Sequence, residues 1–217
     1  MKRVKTISIF ILLILTTVAT NAQWSVGTDI YTQYIWRGVK YGSGPAVQPW
    51  VDFTEGVFSA GAWGSVTYGD DFQEMDLYAS VSTDIGLTIG VYDYYYPGTD
   101  WFDLSDTAGA HGIELNLGYE IEGLSLSANY IVNEAPGAGT VGDDKYFEVG
   151  YSFPNFSVFF GIGDGWHSSD TEMQVVNVGL STSKEVKISD ELTIPVSGAI
   201  VLNPDAEQFF VVVGFSL

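Results

Sequence analysis

The stretch Ile113–Asn133, IELNLGYEIEGLSLSANYIVN, decides the fold. Ile113, Leu115, Leu117, Tyr119 and Ile121 alternate with Glu114, Asn116, Gly118 and Glu120. After Glu122-Gly123 the alternation resumes: Leu124, Leu126, Ala128, Tyr130 and Val132 oppose Ser125, Ser127, Asn129 and Asn133. A period of two with a glycine-bearing break is the pattern of two antiparallel strands and a tight turn. Each run matches the ~9–11 residues that a tilted strand needs to cross a bilayer.

The same pattern extends in both directions. On the N-terminal side, Trp24, Val26, Ile30, Tyr34 and Trp36 oppose Ser25, Gly27, Asp29, Gln33 and Arg37. Met75, Leu77, Ala79 and Val81 oppose Glu74, Asp76, Ser80 and Ser82. On the C-terminal side, Val176, Val178 and Leu180 oppose Asn177, Gly179 and Ser181. The chain closes on FFVVVGFSL, with Phe209, Val211, Val213, Phe215 and Leu217 on one parity. Asp93, in VYDYYY, falls on the apolar parity, which predicts a bulge or an early strand end.

Twelve such runs follow residue 22. Their connections alternate between short turns, such as Glu55-Gly56, Ile85-Gly86 and Pro154-Asn155, and longer polar loops such as Pro97–Ala110 and Glu134–Asp144. This predicts an all-β, transmembrane, antiparallel up-and-down β-barrel of about 12 strands, within about 10–14. In lipid every backbone group must be paired internally, so the strands must close into a ring. A soluble β-sandwich also alternates. It would place bulky groups on the inward face and lysine outside, whereas here small or polar residues form the second face of every run and Lys and Arg are scarce in mid-run.

The first 22 residues read differently. Lys2, Arg3 and Lys5 precede an apolar segment from Ile7 to Val18, and Thr20-Asn21-Ala22 offers a small-residue cleavage site. This is the pattern of a secretory signal peptide, so residues 1–22 are expected to be removed and residues 23–217 to form the barrel domain. The segment is short for the ~20 residues of a spanning helix. Three of the eight basic residues lie in it, leaving five against all 27 acids, a formal charge of −22. Such a surface excludes nucleic acid as a natural partner. The chain has no cysteine, so packing and backbone pairing must hold it together.

Within the barrel frame, parity assigns side chains to faces. Arg37 shares its parity with Asp29 and is expected to face the lumen below the outer rim, beside Glu74, Asp76, Glu114 and Glu148. An arginine on the lipid face at mid-depth would cost ~2–4 kcal/mol. Its planar fork suits carboxylates, so a clamp or a selectivity element is predicted. Trp63, Tyr78, Tyr92 and Tyr94 are expected to narrow the lumen, and Pro97–Ala110 is long enough to plug it. Tyr34, Trp36, Tyr68, Tyr95 and Tyr130 lie near run ends, where rings form the aromatic girdles of membrane barrels. The C-terminal Phe209, Val211, Val213, Phe215 and Leu217 resemble the signal read by outer-membrane assembly machinery, although phenylalanine is its usual last residue.

Other chemistry is weakly represented. His167, in GDGWHSSDTE beside Ser168, lacks the glycine pattern of a nucleophile elbow, so no catalytic residues are assigned and no enzyme is expected. Asp100, Asp103 and Asp106, and Asp164 with Asp170, read as a solvated acidic rim able to contact cation-bridged lipopolysaccharide. No metal or cofactor is predicted.

Four segments carry a family resemblance: Trp36-Arg37-Gly38, Pro45-Ala46-Val47-Gln48, Gly61-Ala62-Trp63-Gly64-Ser65 and Glu74-Met75-Asp76-Leu77-Tyr78. Here the chain resembles the TorF-like family of porins, earlier catalogued as a bacterial family of unknown function named for a Gly-Cys-Trp feature. Ala62 stands where that cysteine would be, which argues against a thiol role. The resemblance implies a barrel in the outer membrane of a Gram-negative bacterium. The reading of charge and lumen together is a narrow, acidic, passive channel for cations or small cationic solutes, with both mature termini periplasmic. The alternatives are a structural or surface-interaction barrel with a blocked lumen and, more remotely, a lipid-modifying enzyme. Expected partners are outer-membrane lipids, lipopolysaccharide and the assembly machinery.

Overall fold

A computed structural model describes residues 23–217; the expected signal peptide, residues 1–22, lies outside the described residues. The strands in chain order are β1 (Gln23–Tyr31), β2 (Tyr34–Trp36), β3 (Val39–Tyr41), β4 (Ala46–Glu55), β5 (Phe58–Thr67), β6 (Gln73–Ser82) and β7 (Leu87–Tyr95). They continue as β8 (His111–Ile121), β9 (Leu124–Ile131), β10 (Lys145–Ser152), β11 (Ser157–Gly163), β12 (Gln174–Lys187), β13 (Thr193–Asn203) and β14 (Gln208–Ser216). Twelve of them form one closed antiparallel barrel, and β2 and β3 form a separate two-stranded hairpin.

The ring follows chain order from β4 to β14, and β1 joins its two ends. Its register explains the alternation. Leu115 pairs with Tyr130 and Leu117 with Ala128, while Asn116 faces Asn129 on the other side of the same ladder. A slip of one residue would exchange the faces of the whole strand, so this pattern fixes the pairing. Leu115, Leu117, Leu126, Val149, Val158 and Val211 all lie exposed on the outer face, whereas Glu114, Asn129 and Ser65 are buried inside.

Three expectations about the strands need correction. The run from Trp24 to Trp36 is not one strand: β1 ends at Tyr31, and Tyr34–Trp36 turns into the lumen as β2. Asp93 does not mark a bulge, because β7 pairs without interruption with Leu77 on one side and Ile113 on the other. Val176 is not on the outer face with Val178 and Leu180. A register shift opposite Gly161 and Ile162 makes it the extra residue of a bulge, and it is fully buried.

Candidate functional site

The β2–β3 hairpin organises the lumen. Trp36 pairs with Val39, so Arg37 and Gly38 form a two-residue loop. Their φ angles are 49° and 82°. Positive φ at both positions is what a type I′ turn requires, and it matches the twist of the flanking strands. Gly38 has a second constraint: a Cβ there would lie 1.9 Å from the carbonyl oxygen of Val176. The amide of Asn203 also donates to the Gly38 carbonyl at 3.1 Å, fixing the hairpin tip against β12 and β13.

Arg37 pays for its left-handed backbone with side-chain bonds. Its two terminal nitrogens donate to Glu114 at 2.6 and 2.9 Å. Glu114 is fully buried and also accepts from the Tyr94 hydroxyl at 3.0 Å and the Asn116 amide at 2.5 Å. The guanidinium lies 4.4 Å from the Trp36 ring centroid and 4.5 Å from that of Tyr146. A charge taken out of water needs such complete partnering.

Aromatic packing completes the stopper. Trp36 meets the rings of Tyr94, Trp166 and His167, and Tyr34 meets Trp63, Tyr41 and Phe72. His167 is buried, and its Nε2 lies 3.5 Å from Arg37. Burial, reinforced by the Arg37 charge, holds its imidazole well below the ordinary histidine range. It is therefore neutral at pH 7.

Below the stopper the lumen is hollow. A cavity of about 530 Å³ is lined by Arg37, Tyr92, Tyr94, Asn116, Tyr146, Glu148 and Asn177, among others. A second, of about 610 Å³, shares Thr88, Gly118, Ser127 and Glu148 with it and reaches the turn residues Ser82, Thr83 and Gly86. The hollow thus runs toward the end of the barrel that carries the short turns.

The residues singled out from sequence are distributed as follows. Of Asp29, Glu74, Asp76, Glu114 and Glu148, only Glu114 bonds Arg37 among the described residues. Glu74 accepts from Tyr96 at 3.1 Å, and Asp76 is buried with Oδ1 unpartnered. Glu148 accepts from the hydroxyl of Tyr146 and the amide of Asn177. Tyr78, Tyr92 and Tyr94 form a continuous inner ladder with ring spacings of 5.1 and 6.0 Å. Trp63 leans on Tyr34 at 5.5 Å.

Two residues expected in the girdle belong elsewhere. Tyr34 and Trp36 are stopper residues, because the hairpin carries them inward. Tyr68 and Tyr130 are exposed, and Tyr95 is covered by Trp101 at a ring spacing of 4.6 Å. The Pro97–Ala110 loop likewise does not plug the lumen. Trp101 packs against His111, 4.6 Å between centroids, and its backbone carbonyl oxygen lies 2.7 Å from the His111 Nε2. His111 in turn contacts both carboxylate oxygens of Asp93, at 2.9 and 3.0 Å. This pair and its cover lie on the outer-face parity, so Asp93 has a polar partner where the alternation left it stranded.

Phe209, Val211, Val213 and Leu217 are exposed along the outer face of β14. His167 Nδ1 and Ser168 Oγ are each buried without a hydrogen-bond partner. Asp100 and Asp103 accept from the backbone of their own loop, at Phe102 and Ser105. No cluster of three or more metal-ligating side chains occurs among the described residues.

Comparison with known proteins follows from this architecture. Among solved structures, a triple mutant of Rh. blastica porin is 15% identical with a TM-score of 0.42, covering 79% of this chain and 55% of that one. A second triple mutant of the same porin is 14% identical with a TM-score of 0.44, covering 91% and 73%. A double mutant is 10% identical with a TM-score of 0.37, covering 90% and 99%. The chain thus spans about half the length of the first of these porin chains. No curated protein matches it. Residues 16–158 match the bacterial protein family of unknown function termed Gcw_chp, and the chain belongs to that family.

Proposed function

We propose that this protein is a TorF-like porin in the outer membrane of a Gram-negative bacterium, with a mature chain of residues 23–217. In this reading both termini are periplasmic, the β14 apolar parity is the assembly signal, and the lumen passes small cations or cationic solutes without catalysis. The observation that carries the reading is the contrast between faces: an exposed apolar wall outside, and inside a hollow lined mainly by Ser, Thr, Gly, Asn, Tyr and carboxylates, with Arg37 at its top. Eight-stranded barrels are filled by side chains and sixteen-stranded ones hold a water channel, so twelve strands leave room for a hollow of intermediate size. The surplus of acids favours cations in a low-dielectric wall. The β2–β3 hairpin narrows the outer mouth, and its state sets the conductance.

One observation favours the second reading, a structural barrel with a blocked lumen. The hairpin is held by a fully paired Arg37–Glu114 contact and several aromatic contacts. Planar-bilayer recordings separate the two. A porin gives discrete open levels with a cation-biased reversal potential, and removing residues 34–41 enlarges them. Silence from both wild type and the hairpin deletion, with insertion verified, rejects the channel.

A further inference from the structure

We propose that seating the β2–β3 hairpin places protons on Glu74 and Asp76, so that rising pH releases the stopper; this goes beyond the channel reading and holds whether or not ions pass. Both side chains sit on the inner face at the long-loop end of β6, and each is only 5% exposed. Glu74 Oε1 accepts from the Tyr96 hydroxyl at 3.1 Å, but Glu74 Oε2 and Asp76 Oδ1 are buried with no partner. Neither residue belongs to an ion pair among the described residues.

The hairpin supplies much of their cover. In the ladders Asp76 is flanked by Trp63 on β5 and Tyr94 on β7. Tyr34 meets the Trp63 ring at 5.5 Å, and Trp36 meets the Tyr94 ring at 5.4 Å. Near Glu74, Tyr34 and Tyr41 both pack on Phe72, which packs in turn on Tyr96. Withdrawal of residues 34–41 strips Tyr34, Trp36 and Tyr41 from this cover and admits water to the carboxyls.

No free positive charge faces the pair. The titratable groups around it are Tyr34 and Tyr41 of the hairpin, Tyr92 and Tyr94 of β7, and Tyr96 beyond it, while Asp93 and Glu114 add negative charge. β5 contributes Trp63 and Ser65, which do not titrate. Arg37 is committed to Glu114, and Lys40 is exposed. A carboxylate taken out of water without a cation takes up a proton instead, and a second carboxylate beside it strengthens that demand. In the withdrawn state both groups return to water, where carboxyls ionise near ~4. The seated state thus holds protons that the withdrawn state gives up. Seating is favoured at low pH, and each proton released favours withdrawal by about tenfold per pH unit as pH rises, until the seated carboxyls ionise as well.

The test is deuterium uptake by residues 32–45 of the folded barrel in detergent at pH 7 and pH 9, corrected for intrinsic exchange. It compares the wild type with the double variant Glu74→Gln, Asp76→Asn, whose amides keep the shape of neutral carboxyls and cannot ionise. Wild-type protection should fall about tenfold or more between the two pH values, and that of the variant should stay nearly constant. A contribution from tyrosine or His167 would persist in the variant. The infrared C=O band of a protonated carboxyl should be present in the wild type at pH 7 and shrink at pH 9. Equal wild-type protection at both pH values overturns the inference, as does the same fall in the variant or a pH-independent infrared band. Should the double variant not fold, wild-type protection and the titration of its infrared band decide. Proton-linked protection with silent bilayers removes the channel and keeps the latch; conductance with pH-independent protection does the reverse.

Discussion

Arg37 grips Glu114 through both terminal nitrogens, at 2.6 and 2.9 Å, across 77 positions of sequence. The contact joins the hairpin tip to the inner wall of β8, and the carboxylate is wholly buried. Arg37→Ala leaves that charge unpaired, with an expected loss of about 3–5 kcal/mol. Replacing both residues by Met should cost much less, because no lone charge remains. The midpoint of heat-induced unfolding, read as the gel-mobility shift of the barrel, measures all three proteins.

Gly38→Ala should destabilise the hairpin strongly. It combines a φ of 82° with a methyl carbon 1.9 Å from the Val176 carbonyl, and an expected cost of about 3 kcal/mol or more. Gly98→Ala provides the control: its φ is 112°, but nothing lies within 4 Å, so only the backbone strain of about 1–3 kcal/mol applies. Faster proteolysis of the 32–45 segment in Gly38→Ala would report release of the hairpin.

His167 gives the stopper a pH dependence. Its pKa is lowered in the fold, chiefly by burial and then by Arg37, whereas an unfolded histidine titrates near ~6.5. Below that pH the unfolded chain binds a proton that the folded chain refuses. The fold is therefore stabilised above ~6.5 and loses up to about 1.4 kcal/mol per pH unit below it, until the folded imidazole also protonates. Between pH 7 and pH 5 the wild type should lose more thermal stability than His167→Gln. Parallel pH curves for the two would contradict this.

Neighbours on β9 separate outside from inside. The chain has no cysteine, so single cysteines report without background. In liposomes, Ser127→Cys should react with a water-soluble maleimide and Leu126→Cys should not. Leu126→Arg should cost more than Ser127→Arg, since an arginine on the lipid face costs up to about 2–4 kcal/mol, by depth, while one in the lumen stays in water. Equal labelling at both positions would argue against lipid on the outer face.

The closed barrel was legible because alternation, short turns and long loops repeat through the whole chain, and each strand reads independently of its partners. The hairpin was not, because Tyr34 and Trp36 keep the phase of β1 and make the run look continuous. A local cue existed: Arg37-Gly38 sits between apolar residues as a two-residue loop, the length that type I′ turns use. The Arg37–Glu114 partnership was visible only as one of several carboxylates of the same parity. Choosing among them needed the hairpin's inward path. Asp93 shows the same limit. Its partner His111 lies across the strand pair from β7 to β8, and its cover, Trp101, comes from a loop with no periodicity.

The stopper is strung on the strand that completes the ring. β1 pairs with β4 along nine residues but with β14 along only three, although Thr32 and Gln33 add further bonds to β14 and Thr28 pairs with Leu217 just beyond it. Joining β1 to β14 requires both ends of the described chain, and residues 34–41 follow directly after β1. Tyr31 and Ala46 pair at the long-loop rim, so the segment between them can swing in through the open mouth of a closed ring without breaking a ladder. The stopper is thus a hinged insert, able to seat or withdraw without opening the wall. A disulfide engineered across the β1–β14 seam should therefore leave the hairpin free to seat.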